Sequence, residues 1–395
     1  GYAFADIVTR GPYLQMGAET SIVVRWRSDV ATDSRVHYGT VLGSLTNTVD
    51  EVTITTEHEV RLTGLLANTT YYYAIGPISQ IWAGNDAQHY FTTSANRGTE
   101  DALRLWVLGD SGTADRYANE VRDGYLLFNG SRSTDAMFLL GDNAYKSGTD
   151  VEYQAALFNM YPSILRQTVL WPTLGNHDRL SADSPTQSGV YYDIFTLPKL
   201  GEAGGVGSGT EAYYSFDIAN AHFICLDSDD TDLSATGTMM TWLKSDLTNN
   251  LQKWTIAYWH HPPYSKGVHK SDDIYDSEGK MTKMRERFLP VLESYGVDMI
   301  LTGHSHSYER SFLLNGHYGT STTLTSSMIV NGGDGRVTGS GAYSSEPTGT
   351  VYVVAGSSGK TDGGMLNHPA MYISLDVHGS LVIDNKGIVE IVYAG

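Results

Sequence analysis

Hydrophobic and polar positions change their rhythm once along this chain. Up to about Thr93, short stretches such as Ile22-Val23-Val24-Arg25-Trp26 and Arg35-Val36-His37-Tyr38 are separated by Gly, Asn, Asp and Thr. This spacing predicts an all-β sandwich. Within it Leu62 and Leu65 are expected to enter the core, and Tyr71, Tyr73 and Ile75 alternate onto one face. Residues Ser94 to Asp101 read as a linker. From Leu103 onward, apolar runs alternate with stretches of helical period. Leu103 to Leu108 is continuous enough for a strand buried on both faces, and Thr113 to Phe128 reads as a helix capped by Thr113. Further strands are predicted at Ala136–Leu140, Val169–Leu174, Tyr213–Ile218, His222–Leu226, Trp254–Trp259 and Met299–Leu301, with helices near Met239–Leu247 and Met281–Tyr295. Val351–Ala355, Met371–Val377 and Ile388–Tyr393 read as strands completing a second sheet. Residues 179–210 and 315–350 are Gly- and Ser-rich loops bordering something. Gly332, Gly333 and Asp334 read as a plain turn.

With 395 residues, two domains are the natural expectation, placed at 1–97 and 98–395. A formal net charge of −18 argues against nucleic acid or an anionic membrane as the main partner. It does not forbid small anionic substrates, because bound cations reverse the local field. No apolar run approaches the roughly 20 residues of a membrane helix. The lone cysteine, Cys225, sits in an apolar run and reads as a buried structural thiol. The sequence starts at Gly1 rather than Met, which suggests a processed or engineered start. The acidic balance leans the expected location outward, to secretion or the periplasm. Nothing sets the oligomeric state.

Five segments put a polar residue just past a predicted strand: Gly109-Asp110-Ser111-Gly112, Gly141-Asp142-Asn143-Ala144-Tyr145, Gly175-Asn176-His177-Asp178, Trp259-His260-His261-Pro262 and Gly303-His304-Ser305-His306. Each alone is an ordinary strand-to-helix turn. In an open α/β sheet, however, strand ends gather in one crevice, so the five converge. The glycines that precede the polar residues suit tight turns and close backbone approach. The donors are carboxylate, phenol, amide and imidazole, without thiolate. That set suits iron, zinc or manganese and holds too much nitrogen for calcium or magnesium. Seven donors exceed what one small metal accepts with an open position, so two metals sharing a bridging carboxylate fit the count.

In this order the segments resemble the metallophosphoesterases, and among them the purple acid phosphatases, with their GDxG, GDxxY, GNH followed by D or E, xxxH and GHxH pattern. The run from Leu62 to Tyr73 is similar to the tyrosine corner of a fibronectin type III domain, with Ala67 where proline is usual. It agrees with the two-domain plant and bacterial forms. The resemblance implies a fibronectin-like sandwich followed by an α/β domain of two packed mixed sheets flanked by helices. It implies hydrolysis of a small phosphate monoester at a dinuclear centre, ferric iron plus divalent zinc, iron or manganese, with metal-activated hydroxide as nucleophile. Carried over, it puts Asp110, Tyr145 and His306 on the ferric ion, Asp142 between the metals, and Asn176, His260 and His304 on the divalent ion. His177 and His269 match outer histidines near the substrate phosphate and leaving group. Asp178 is expected to orient His177 or its turn, and His261 to lie outside the ligand set.

Three other readings stay open. One is a dinuclear phosphodiesterase or nucleotide hydrolase in which Tyr145 holds no ferric iron. Another is an adhesion or binding protein beside an inactive phosphoesterase domain, and the third is a single-zinc hydrolase.

Overall fold

The computed structural model describes residues 8–336, 338–343 and 348–384, and the backbone of 388–393. Its N-terminal β domain is built on two long strands, Ser21–Gly39 and Asn47–Thr63. They pair antiparallel along most of their length, with a register break between Arg27 and Ser34. Ahead of that break Ser21–Gly39 pairs with Val8–Gln15, and beyond it with Thr70–Gly76. Two long strands thus serve both halves of the β domain. Trp26, Val36, Leu62, Tyr73 and Ile75 are buried between them. The Tyr71 hydroxyl accepts the Leu66 N–H at 3.0 Å, which closes the turn after Leu65.

The second domain holds two mixed sheets. In one, Arg104–Leu108, Ala136–Leu139 and Val169–Pro172 run parallel. In the other, Ala221–Cys225, Trp254–Tyr258, Met299–Thr302 and Val351–Ala355 run parallel, with antiparallel strands at both sides. The sheets meet through rings. Trp171 stacks on Phe216 at 3.6 Å, and Phe138 packs against Phe223 and Tyr258 at 5.2 Å. These are strands buried on both faces, which is why their sequences read as unbroken apolar runs. Helix Arg116–Asn129 covers the first sheet through Tyr125, whose ring stacks on Trp106 at 4.0 Å.

Four sequence expectations change. Asp115, not Thr113, caps the first helix, because its carboxylate accepts the N–H groups of Tyr117 and Ala118. The Thr113 hydroxyl instead donates to Asp115 at 2.9 Å. Ile388–Tyr393 does not join the second sheet. It pairs with Gly379–Asp384, which pairs with Arg104–Leu108 and so extends the first sheet. The strand Gly379–Asp384 was not anticipated at all. Finally, the two domains share a sheet, since Leu14 pairs in parallel with Val169. Gly332 to Asp334 do form a turn, in which the Asp334 carboxylate accepts the N–H groups of Arg336 and Ser340. Cys225 is buried and unpaired, as expected, and burial pushes its thiol up to about 12.

Candidate metal centre

All five predicted segments follow the C-terminal ends of parallel strands, three in the first sheet and two in the second. The crevice is therefore the joint edge of both sheets. Backbone crowding there explains the glycines. A Cβ on Gly141 would lie 2.5 Å from His260 Nδ1, one on Gly175 2.1 Å from the Asp142 nitrogen, and one on Gly303 2.6 Å from Asp110 Oδ2. Asp110, Asp142 and His304 themselves adopt left-handed φ values of 55°, 53° and 67°. Such conformations cost a non-glycine residue about 1–3 kcal/mol and gather at functional sites.

The side chains form two groups. In the first, the Tyr145 hydroxyl donates to Asp110 Oδ1 at 3.1 Å and lies 3.3 Å from His306 Nε2, which is 3.4 Å from Asp110 Oδ1. In the second, His260 Nε2 lies 3.0 Å from Asn176 Oδ1 and 3.1 Å from His304 Nδ1. Asp142 touches both. Its Oδ1 is 3.5 Å from His260 Nε2, and one oxygen each of Asp110, Asp142 and one nitrogen of His260 fall within 4.8 Å of one another.

The electrostatics call for cations. Asp110 and Asp142 are buried, and among the described residues neither pairs with a lysine or arginine. Burial and the neighbouring Asp110 push the Asp142 carboxyl up. Burial, Asp110 and Asp142 hold the Tyr145 phenol well above its usual range. Burial and the surrounding imidazoles hold His304 well below its own, so it is a neutral ligand in waiting. Carboxylates, phenol and imidazoles crowded out of water are the donor set a metal pair would satisfy.

Tautomers are fixed from behind. The Leu140 carbonyl accepts from His260 Nδ1 at 2.8 Å, which leaves Nε2 facing the centre. His306 gives its Nδ1–H to Asp362, again leaving Nε2 inward. His304 is turned the other way, with Nε2 2.6 Å from the Ser277 hydroxyl and Nδ1 inward. His177 donates its backbone N–H to Asp142 Oδ1 at 3.0 Å and its Nδ1–H to the Lys146 carbonyl at 2.6 Å. Its Nε2 lies 3.9 Å from Asp142 Oδ2. His269 stacks on His304 at 3.8 Å and holds Asp276 through Nδ1 at 2.8 Å.

Asp178 accepts the N–H groups of Gly175 and Asn143 and the Tyr153 hydroxyl, so it fastens the turns rather than His177. His261 is buried, not at the surface. It contacts Ser228 through Nδ1 at 2.9 Å, and its ring lies 4.4 Å from His304.

The sequence pattern of the calcineurin-like phosphoesterases matches residues 103–308, which carry every one of these strand ends. The chain belongs to that family. The pattern of the purple acid phosphatase N-terminal domain matches residues 10–93, so both domains ally this phosphoesterase with the purple acid phosphatases. Purple acid phosphatase 15 of Arabidopsis thaliana is 28% identical over 338 residues, covering 79% of this chain and 55% of the plant protein. The chain thus spans between about a third and two thirds of the length of the curated relatives it matches. Two solved structures share the fold. Purple acid phosphatase PPD1 from yellow lupin seeds superposes with a TM-score of 0.71 at 16% identity, covering 98% of this chain and 73% of that one. PhoD superposes with a TM-score of 0.68 at 13% identity, covering 100% and 90%.

Sequence reasoning missed Asp276, Ser277 and Asp362, the partners of three histidines of this phosphoesterase. A signal for Asp362 existed. Gly356-Ser357-Ser358-Gly359-Lys360-Thr361-Asp362 is a sixth polar strand-end segment, led by glycine as four of the other five are, and it follows the parallel strand Val351–Ala355. Carboxylates that orient a ligating imidazole are worth about 10–100-fold in metal affinity. Asp362→Asn is expected to weaken metal retention in that range in chelator competition, and unchanged retention would show that His306 needs no such partner.

Proposed function

We propose that this phosphoesterase hydrolyses phosphate monoesters with two metal ions, one ferric and one divalent. The observation that carries this reading is the pair of donor sets meeting at Asp142. Asp110, Tyr145 and His306 would hold the ferric ion; Asn176, His260 and His304 would hold the divalent zinc, iron or manganese; Asp142 would serve both. When bound, such a pair supplies a nucleophile from water at mild pH and neutralises the phosphoryl oxygens as charge moves in the transition state.

The rest falls to the chain's own side chains. His177 and His269 flank the donors from opposite sides, one edge-on to Tyr145 at 4.7 Å and the other stacked on His304. Each has Nδ1 engaged, by the Lys146 carbonyl and by Asp276, so Nε2 is the atom free to hold a proton for the leaving alkoxide. A positioned acid of this kind contributes roughly 10²–10⁴-fold. The division at 97/98, a location outside the cytoplasm and a small phosphorylated substrate belong to the same proposal. The acidic balance supports the location, and no helix among the described residues is long and apolar enough to cross a membrane.

Elemental analysis and a visible spectrum on one sample test the reading. We expect two metals per chain including iron, with a broad absorption band. Tyr145→Phe is expected to bleach that band, because in purple acid phosphatases a phenolate at this position on ferric iron gives the colour. Two colourless metals would demote Tyr145 and favour a diesterase or nucleotide hydrolase. No metal after reconstitution with iron and zinc would overturn the proposal.

A further inference from the structure

The glycine-led segment after Val351–Ala355 does more than supply Asp362. It is threaded between three parts of the centre. Gly356 donates its N–H to the Ser307 carbonyl at 3.1 Å, and Ser358 donates its own to the Gly109 carbonyl at 3.1 Å. Leu366 donates to the Lys266 carbonyl at 2.8 Å, in the loop that carries His269. At Gly356 and Gly364 a side chain would collide with the backbone. A Cβ on Gly356 would lie 2.3 Å from the Ser305 carbonyl oxygen, and one on Gly364 2.2 Å from the Gly267 backbone. The segment is a rigid strap across the crevice, and its one cation is Lys360.

Lys360 lies between two held residues, Ser358 and Asp362, and is open at its tip. Its side chain is 46% exposed, and the ammonium stands over the Tyr145 ring, 5.7 Å from the centroid. That places it beyond the phenol, on the solvent side of the Asp110, Tyr145 and His306 group. Its carboxylate neighbour is Asp362 Oδ2 at 3.3 Å, and that same oxygen already takes the His306 Nδ1–H. Two other cations near the crevice are committed elsewhere: Lys266 faces Asp272 at 3.6 Å, and Arg179 faces Asp230 at 2.9 Å. In a chain of net charge −18, a half-open lysine held rigidly at the mouth is suited to an incoming anionic group.

We propose that Lys360 is a specificity residue that binds a second phosphoryl group, carried by the substrate next to the one being cleaved. The inference rests on the proposed function. The reacting phosphoryl would lie among the buried donors with His177 and His269, and the ammonium is one ring's depth outside them. A phosphoanhydride or a neighbouring phosphorylated position reaches that far, whereas a simple aryl phosphate ends in an uncharged ring. Lys360 therefore discriminates by charge at the exit of the crevice and takes no part in bond breaking.

The probes are pyrophosphate and 4-nitrophenyl phosphate, with the full chain loaded with metal. The quantity read is the ratio of their kcat/KM values in the parent, Lys360→Gln and Lys360→Arg. In Lys360→Gln the pyrophosphate-to-aryl ratio is expected to fall about tenfold, the scale of one hydrogen bond to a charged group. Lys360→Arg, which keeps the charge, is expected to restore most of it. Calorimetric titration with pyrophosphate and with inorganic phosphate is expected to show the same selective loss in Lys360→Gln. An unchanged ratio, or equal losses on both substrates, overturns the assignment. A parent that turns over neither substrate would sink the proposed function, and the calorimetric comparison would still decide the role of Lys360.

Discussion

Asp142→Asn is expected to cost this protein at least one of the two metals proposed for it and on the order of 10³-fold in turnover, the scale of removing one preorganised electrostatic group from a reaction centre. The amide keeps the shape and still accepts the His177 N–H, now made at 3.0 Å. What it removes is the negative charge shared by both donor groups. The metal-free protein should respond in the opposite sense. Burial and Asp110 both disfavour the ionised Asp142, so the neutral amide relieves a repulsion and thermal unfolding without metal should come no earlier than in the parent. In the parent, metal at a thousandfold excess over its Kd adds about 4.1 kcal/mol of stability. Most of that metal-induced shift should vanish in the variant. Elemental analysis, turnover and paired unfolding curves read all three effects. Two retained metals with normal turnover would remove Asp142 from its shared position.

What the sequence could and could not reveal follows from where each group sits. Gly141-Asp142 and Gly303-His304 are legible because a strand end forces the glycine and the proposed ligand to be adjacent in sequence. The orienting groups have no such link. Asp362 lies 56 positions from His306, and Ser277 lies 27 from His304. Both stand in polar loops whose composition resembles any solvated turn. Ser277 and Glu278 hold consecutive left-handed φ values of 53° and 56°, which no residue type there announces. The strand Gly379–Asp384 begins with Gly and Ser and ends in Asp, so only Leu381, Val382 and Ile383 mark it. His261 follows His260 directly. Its burial comes from Ser228 and Asp229 at the end of a different strand, 33 residues away.

The N-terminal domain supplies none of the side chains gathered at the strand ends. Its charge nevertheless reaches the Tyr145 segment. Arg27 holds both oxygens of Asp150 at 2.6 and 2.7 Å, and Arg10 adds a contact at 2.8 Å. The Arg27 hydrogen bond leads in drawing that carboxyl down to about 2, so the clamp stays ionised through mild acid. Asp150 opens the helix after Tyr145, capped by Thr149 with Glu152. Glu152 in turn takes the N–H groups of Lys146 and Ser147. The β domain therefore braces the loop whose phenol faces the proposed ferric site. The shared pairing of Leu14 with Val169 makes that brace continuous with the sheet.

A second large effect is expected far from the metals, at His222. Its ring is buried between two carboxylates, with Nδ1 2.7 Å from Asp217 and Nε2 2.8 Å from Asp246. Burial works against its charge, yet the hydrogen bonds to Asp217 and Asp246 hold its pKa up at about 9. Arg97 also faces Asp217, at 3.8 Å, and so shares that carboxylate with the imidazolium, while the Ser215 hydroxyl and the Val206 N–H donate to Asp246. A histidine whose pKa is higher folded than unfolded stabilises the protein in its protonated state. That contribution, about 3 kcal/mol from the size of the shift, is fully present below about pH 6.5 and is lost as pH rises through about 9. His222→Gln leaves the buried Asp246 without its cation and Asp217 with Arg97 alone, at a cost of about 3–5 kcal/mol. Urea unfolding at pH 5.5 and pH 9.5 should show a large loss for the variant in acid and a much smaller one in base. Equal losses at both pH values would mean that His222 contributes packing rather than charge. The charge is in place under the mildly acidic conditions in which a ferric centre would favour the proposed hydrolysis, so this part of the core is at its most stable there.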